Sequence, residues 1–138
     1  MNDDELRQAL YALDVYKAQL EGFAQQAQIL QISLEEAVRA RETLKAFLNA
    51  KEGDELLIPV GAQSFVHAKA TGANKAIVGI GNRMSVEKDL DGAVAFLDQS
   101  AKEISEVLRK TGASIDEMEA TARNLSSAVQ QEYQRRQQ

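Results

Sequence analysis

Residues 6–48 read LRQALYALDVYKAQLEGFAQQAQILQISLEEAVRARETLKAFL. Leu6, Ala9, Leu13, Tyr16, Leu20, Phe23, Ala27, Leu30, Leu34, Ala37, Arg41, Leu44 and Leu48 recur at gaps that alternate three and four. That is the a/d repeat of a coiled-coil seam. A second stretch answers it with Leu90, Val94, Leu97, Ala101, Ile104, Leu108, Thr111, Ile115, Met118, Ala122, Leu125, Val129 and Glu132. The two stretches are equal in length, and each predicts a helix of roughly 65 Å. With Leu48 set against Leu90, facing residue numbers sum to 138 out to Leu6 and Glu132, and every a position meets a d. Antiparallel packing requires that match. The sequence therefore predicts a mainly α fold, a long antiparallel coiled-coil helical hairpin with a compact insert between its arms.

Helix 1 is expected over residues 3–52. Asn2 or Asp3 can cap it, and Asp4 and Glu5 put negative charge at the positive end of the helix dipole. Gly53 stands where a glycine is expected just past a C-terminus. The period then falls from 3.5 to 2, and residues 55–88 read as two β-hairpins. Their strands are Glu55–Val60, Ser64–Ala70, Lys75–Ile80 and Met84–Glu87, with Pro59 marking an edge or irregular strand. Asp89 caps helix 2, expected over residues 89–136. One domain, residues 1–138, is expected from this length. Four short strands with little apolar surface are marginal alone, and their open edges call for other strands. The insert thus reads as an assembly platform.

Composition narrows the function. Of the residues 44% are hydrophobic, but only 5% are aromatic and none is Trp, which suits a narrow helical stripe better than a globular core. A net charge of −5 argues against a general nucleic-acid binder. The absence of cysteine excludes disulfides and thiolate metal sites. No apolar run approaches ~18 residues and the first residues are acidic, so a soluble, cytoplasmic chain without a membrane partner is expected.

Leu57-Ile58-Pro59-Val60-Gly61-Ala62-Gln63-Ser64-Phe65-Val66-His67-Ala68 resembles the hairpin of α-class prefoldin subunits, matching its pattern at Pro59, Val60, Gly61, Ser64, Phe65, Val66 and Ala68. Gly81, Val86, Glu87 and Lys88 meet a second block of that family, and the order helix, two hairpins, helix is that of its α class. The chain departs from the pattern at Gln63, where the family often has glycine, and at Arg83, Met84 and Ser85. The resemblance implies an archaeal-type subunit of a hetero-hexamer, two α and four β. The strands of all six would form an oligomeric β-barrel platform carrying helical hairpins. It further implies an ATP-independent holdase that binds non-native proteins at the coiled-coil tips and delivers them to a group II chaperonin. No cofactor is implied.

Candidate residues follow from this layout. Subunit assembly falls to the apolar and turn residues of the strands: Leu57, Ile58, Pro59, Val60, Gly61, Phe65, Val66, Ile77, Val78, Ile80 and Val86. Client binding falls to the tip, where helix 1 starts and helix 2 ends. Leu10, Tyr11, Val15 and Tyr133 lie off the seam there, with Tyr11 and Val15 expected to face water. The seam residues Leu6, Leu13, Leu125 and Val129 become available where the tip frays. Tyr11, Val15, Ala18, Gly22, Gln25, Ile29 and Ile32 form a second stripe opposite the seam. Gly22 and Gly112, in one short section of the two helices, suggest a compliant joint. Arg41 interrupts the seam, with Asp98 as its expected partner.

Catalytic chemistry has no foothold. His67 is the only histidine, on a strand and without a second ligand or an oriented partner. Gly79-Ile80-Gly81 lacks the third glycine of a dinucleotide fingerprint, and Asp89-Leu90-Asp91-Gly92 is better explained by capping than by calcium. The competing reading is a structural coiled-coil adaptor that uses the same platform but binds folded partners.

Overall fold

A computed structural model describes residues 1–138 as α1 (Asp3–Asn49), β1 (Glu55–Gly61), β2 (Ser64–Lys69), β3 (Lys75–Gly81), β4 (Met84–Asp89) and α2 (Leu90–Arg136). The chain divides into two compact units. The terminal unit holds residues 1–32 and 106–138; the hairpin unit holds residues 33–105.

In the terminal unit α1 opens on a reciprocal cap. The Glu5 N–H donates to Asn2 Oδ1 at 2.8 Å, and the Asn2 N–H donates to Glu5 Oε2 at 3.1 Å. Two amides that helix geometry leaves unpartnered are thereby satisfied, and Asn2 rather than Asp3 is the cap. Leu6, Ala9 and Val129 form a buried cluster with Leu13 and Leu125 packed against it. These are positions that the antiparallel register brings together. Tyr16, Leu20 and Phe23 on α1, and Ile115, Met118 and Ala122 on α2, continue the seam half-buried.

The hairpin unit starts with an early helix end. α1 stops at Asn49, short of the residue 52 to which the sequence carried it. The cause is Asp54, whose Oδ2 accepts the Lys51 N–H at 2.8 Å while its own N–H donates to the Lys51 carbonyl at 3.0 Å. Gly53, at φ 87°, then turns its N–H onto the Ala70 carbonyl at 2.8 Å. The backbone after Asn49 has joined the hairpin instead of the helix. Leu48, set against Leu90 by the repeat, is left exposed because α1 ends one residue later.

The two hairpins are copies of one geometry. β1 pairs β2 from Glu55↔Lys69 to Gly61↔Ser64, and β3 pairs β4 from Lys75↔Asp89 to Gly81↔Met84. Each ladder shifts register one residue before its turn, at Pro59/Gly61 and at Gly79/Gly81. Gly61 and Gly81 take φ of 101° and 105°. The loop residues that follow, Ala62-Gln63 and Asn82-Arg83, all lie between 50° and 60°. Two successive left-handed residues make the tight turn that matches strand twist. Pro59 sits beside the shift, where a missing amide costs little.

α2 begins after Asp89, whose Oδ1 accepts the Gly92 N–H at 2.6 Å. The core of the hairpin unit is small: Ala70, Val78, Leu90, Ala93 and Ala101. Ala93 is wholly buried. Arg41 is half-buried in the seam and donates from Nη1 to Asp98 Oδ1 at 2.9 Å, as the sequence suggested.

Candidate functional site

Two surfaces carry the unsatisfied chemistry, one in each unit. In the hairpin unit each sheet has two strands and no third, so both hairpins keep open edges. Their side chains are mostly uncovered. Leu57, Val60, Phe65, Val66, Ile77, Ile80 and Met84 are all exposed, Ile77 at 74% and Phe65 at 60%. Ile58, Pro59 and Val86 are half-buried, Gly61 is exposed, and only Val78 is buried, at 4%. A hollow of about 420 Å³ lies among Ala40 and Leu44 of α1, Pro59 of β1, Ile77 and Val78 of β3, and Leu97 of α2. Exposed apolar side chains on strands with unpaired edges are the combination that other strands cover.

In the terminal unit the candidate client residues separate by depth. Tyr11 is 72% exposed, and Leu10 and Tyr133 are exposed as well. Leu13 and Leu125 are half-buried, and Leu6 and Val129 are buried in the seam cluster. Val15 is half-buried rather than facing water, since a short β-branched side chain stays close to the helix surface among its neighbours. Ile29 and Ile32 are also exposed on α1, and Val107 on α2.

Polar chemistry concentrates at the last turn of α2. Glu132 occupies a seam position, with a side chain only 7% exposed. Arg135 donates to it from Nε at 3.1 Å and from Nη2 at 2.6 Å, and Arg136 donates from Nε at 2.9 Å. The Met1 ammonium lies 3.3 Å from its Oε2. Arg135 first, then Arg136, hold the Glu132 carboxyl far below the usual carboxylate range, against the opposing effect of burial. Arg136 also donates to Asp3 Oδ1 at 2.7 Å and to the Met1 carbonyl at 3.1 Å. The three–four repeat alone does not mark this cluster. The signal was present, because a glutamate at a seam position with arginines three and four residues on must find its partners there.

No group of three or more His, Cys, Asp or Glu side chains is placed to hold a metal ion. No helix is long and apolar enough to cross a membrane. Two long helices and two small antiparallel β-hairpins with open edges define a mainly helical fold. The chain belongs to the prefoldin family: the family model for a prefoldin subunit matches residues 16–135. It is 32% identical over 135 residues to the prefoldin subunit alpha of Pyrococcus horikoshii, covering 97% of this chain and 91% of that one. Among solved structures it is similar to a filamentous prefoldin from Methanocaldococcus jannaschii, with TM-score 0.64 at 25% identity over 85% of this chain and 97% of that one. The prefoldin beta subunit from Thermococcus strain KS-1 shares the fold, with TM-score 0.60 at 20% identity over 92% and 90%. The chain is a chaperone subunit of a family whose members assemble with one another, and the adaptor reading is not favoured.

Proposed function

We propose that this chain is the α-class subunit of a hetero-hexamer with four β-class partners, residues 1–138 serving as one prefoldin-like domain. Its strands join those of the other subunits through Leu57, Ile58, Pro59, Val60, Gly61, Phe65, Val66, Ile77, Val78, Ile80 and Val86. The assembly holds non-native proteins at the terminal units without nucleotide or cofactor, and passes them to a group II chaperonin in the cytoplasm. Leu10, Tyr11, Val15 and Tyr133 offer the first contact, with Leu6, Leu13, Leu125 and Val129 following. The chain itself catalyses nothing.

The observation that carries this reading is the exposure of Tyr11, Leu10 and Tyr133 in the terminal unit, together with strands in the hairpin unit whose apolar side chains are uncovered. Surface of this kind binds unfolded chains weakly and with little sequence preference, because apolar burial is not directional. The test is light scattering of a denatured protein diluted into the assembly of this chain with a β-class subunit, without nucleotide. Suppressed aggregation that is lost when residues 1–12 and 127–138 are removed supports the reading. A well-formed complex that suppresses nothing overturns it.

A further inference from the structure

We propose that Arg136 is a latch across the end of the terminal unit, and that its release uncovers Leu6 and Val129 for clients. The proposal rests on the client-binding reading above and adds its gating. Arg136 is the last residue of α2 and Asp3 the first of α1. The Arg136 guanidinium reaches three acceptors: Asp3 Oδ1 at 2.7 Å, the Met1 carbonyl at 3.1 Å and Glu132 Oε1 at 2.9 Å. Two of these belong to the start of the chain and one to its own helix. The planar guanidinium fork holds its donors in fixed directions, so it meets three such partners with less lost freedom than a lysine ammonium on its flexible stem.

Arg135 provides the contrast. It spends both its bonds on Glu132, one turn back in the same helix, and reaches nothing of α1. Arg135 therefore steadies the glutamate, whereas Arg136 ties the two helix ends together.

Beneath the latch lies what it hides. Leu6 and Val129 are 8% and 5% exposed, in one cluster with Ala9, and Glu132 is the next seam position after Val129. The rim is wet. The Asp3 side chain is 83% exposed and that of Arg136 34%, so their bond is screened and individually weak. A strong clamp would keep the seam shut; a weak one opens by thermal fraying and closes again. Opening adds Leu6 and Val129 to the apolar surface already offered by Leu10, Tyr11 and Tyr133.

The test compares Arg136→Ala, Arg135→Ala and the charge swap Asp3→Arg/Arg136→Asp, each as the full chain assembled with a β-class subunit. Amide exchange over residues 9–13 and 125–129 is expected to rise about fivefold in Arg136→Ala, the upper range for an exposed ion pair. It should rise less in Arg135→Ala, which weakens the hold on Glu132 but keeps the link to α1. Protection should recover only in part in the swap, which restores the link to residue 3 but not the Glu132 and Met1 contacts. Denatured-client capture should rise in the same order. Unchanged exchange in Arg136→Ala overturns the latch. Raised exchange with unchanged capture overturns the gating and leaves the client-binding reading standing. A wild-type assembly that captures no client overturns that reading and the gating with it, while exchange still decides whether the latch exists.

Discussion

Arg41 stands where the seam asks for an apolar residue, and its guanidinium leaves the groove to meet Asp98 Oδ1 at 2.9 Å on the facing helix. Asp98 is shared, since Lys102 approaches its other oxygen at 3.1 Å. Lys102 first, then Arg41, draw the Asp98 carboxyl below its usual range. A polar side chain at one a position costs stability but ties the register to a specific partner. Arg41→Leu is therefore expected to stabilise the hairpin by about 1 kcal/mol, the partial burial of one leucine side chain. It should also loosen the register. Denaturant unfolding would read the first effect, and distances between spin labels on the two helices the second. A broadened distance distribution with a raised midpoint supports the assignment; a lowered midpoint contradicts it.

Three helical glycines separate by what surrounds them. A Cβ added at Gly22 or Gly112 would meet nothing within 4 Å, whereas at Gly92 it would lie 2.7 Å from the Asp89 oxygen that caps α2. Gly22→Ala and Gly112→Ala should each stabilise by about 1 kcal/mol, the propensity difference alone. Gly92→Ala gains the same propensity and loses a cap worth about 1 kcal/mol, so its net effect is near zero. Thermal unfolding of the three variants checks the ordering. If Gly22 and Gly112 form a compliant joint, the double alanine variant also slows exchange in the terminal unit and weakens client capture. Unchanged exchange and capture would remove the joint.

Much of this was legible from periodicity. Leu6, Ala9 and Val129 fall in one buried cluster because a three–four repeat leaves a helix only one face to bury. The strands and their turns followed from the change of period and from Gly61 and Gly81. The end of α1 was not legible, because it is set by Asp54 bonding Lys51 and by Gly53 pairing with Ala70, a contact between distant residues. The depth of Val15 is not legible for a different reason. Position on a helical wheel gives direction but not how far a side chain extends. At Glu132 the repeat alone shows only the seam running on, whereas the spacing to Arg135 and Arg136 describes an ion cluster.

The two turns should respond unequally to repair. Ala62 and Gln63 hold φ of 50° and 59°, and a left-handed backbone costs a residue with a Cβ roughly 1–2 kcal/mol. The second turn already has Asn82 in its first place, a residue that tolerates this conformation. Ala62→Asn with Gln63→Gly should thus protect the β1–β2 amides more than Arg83→Gly protects those of β3–β4. Hydrogen exchange of the two hairpins within one assembled complex measures both. Equal gains would mean that the turns are not what limits the hairpins.

Acid should open the terminal unit, and the sign follows from Glu132. Its carboxyl is held far below the value of about 4.5 expected in an unfolded chain, by Arg135 and Arg136 and by the Met1 ammonium. A group whose folded value is depressed contributes stability that is fully present above its unfolded value and fades as pH falls toward the folded one. The window therefore lies below about pH 4.5, and stability contributed by this group is flat from there to neutrality. Glu106, beside Arg109, is shifted in the same direction, so it adds to the acid-side slope without owning the terminal cluster. Glu132→Gln isolates the contribution: the variant is less stable than wild type at pH 7, and the two converge as pH falls below 4.5. Exchange of the amides at residues 125–129, followed between pH 3 and 7, reads that convergence locally. Parallel curves across the whole range would mean that Glu132 carries no linked proton, and that its arginines pair with it without stabilising the fold.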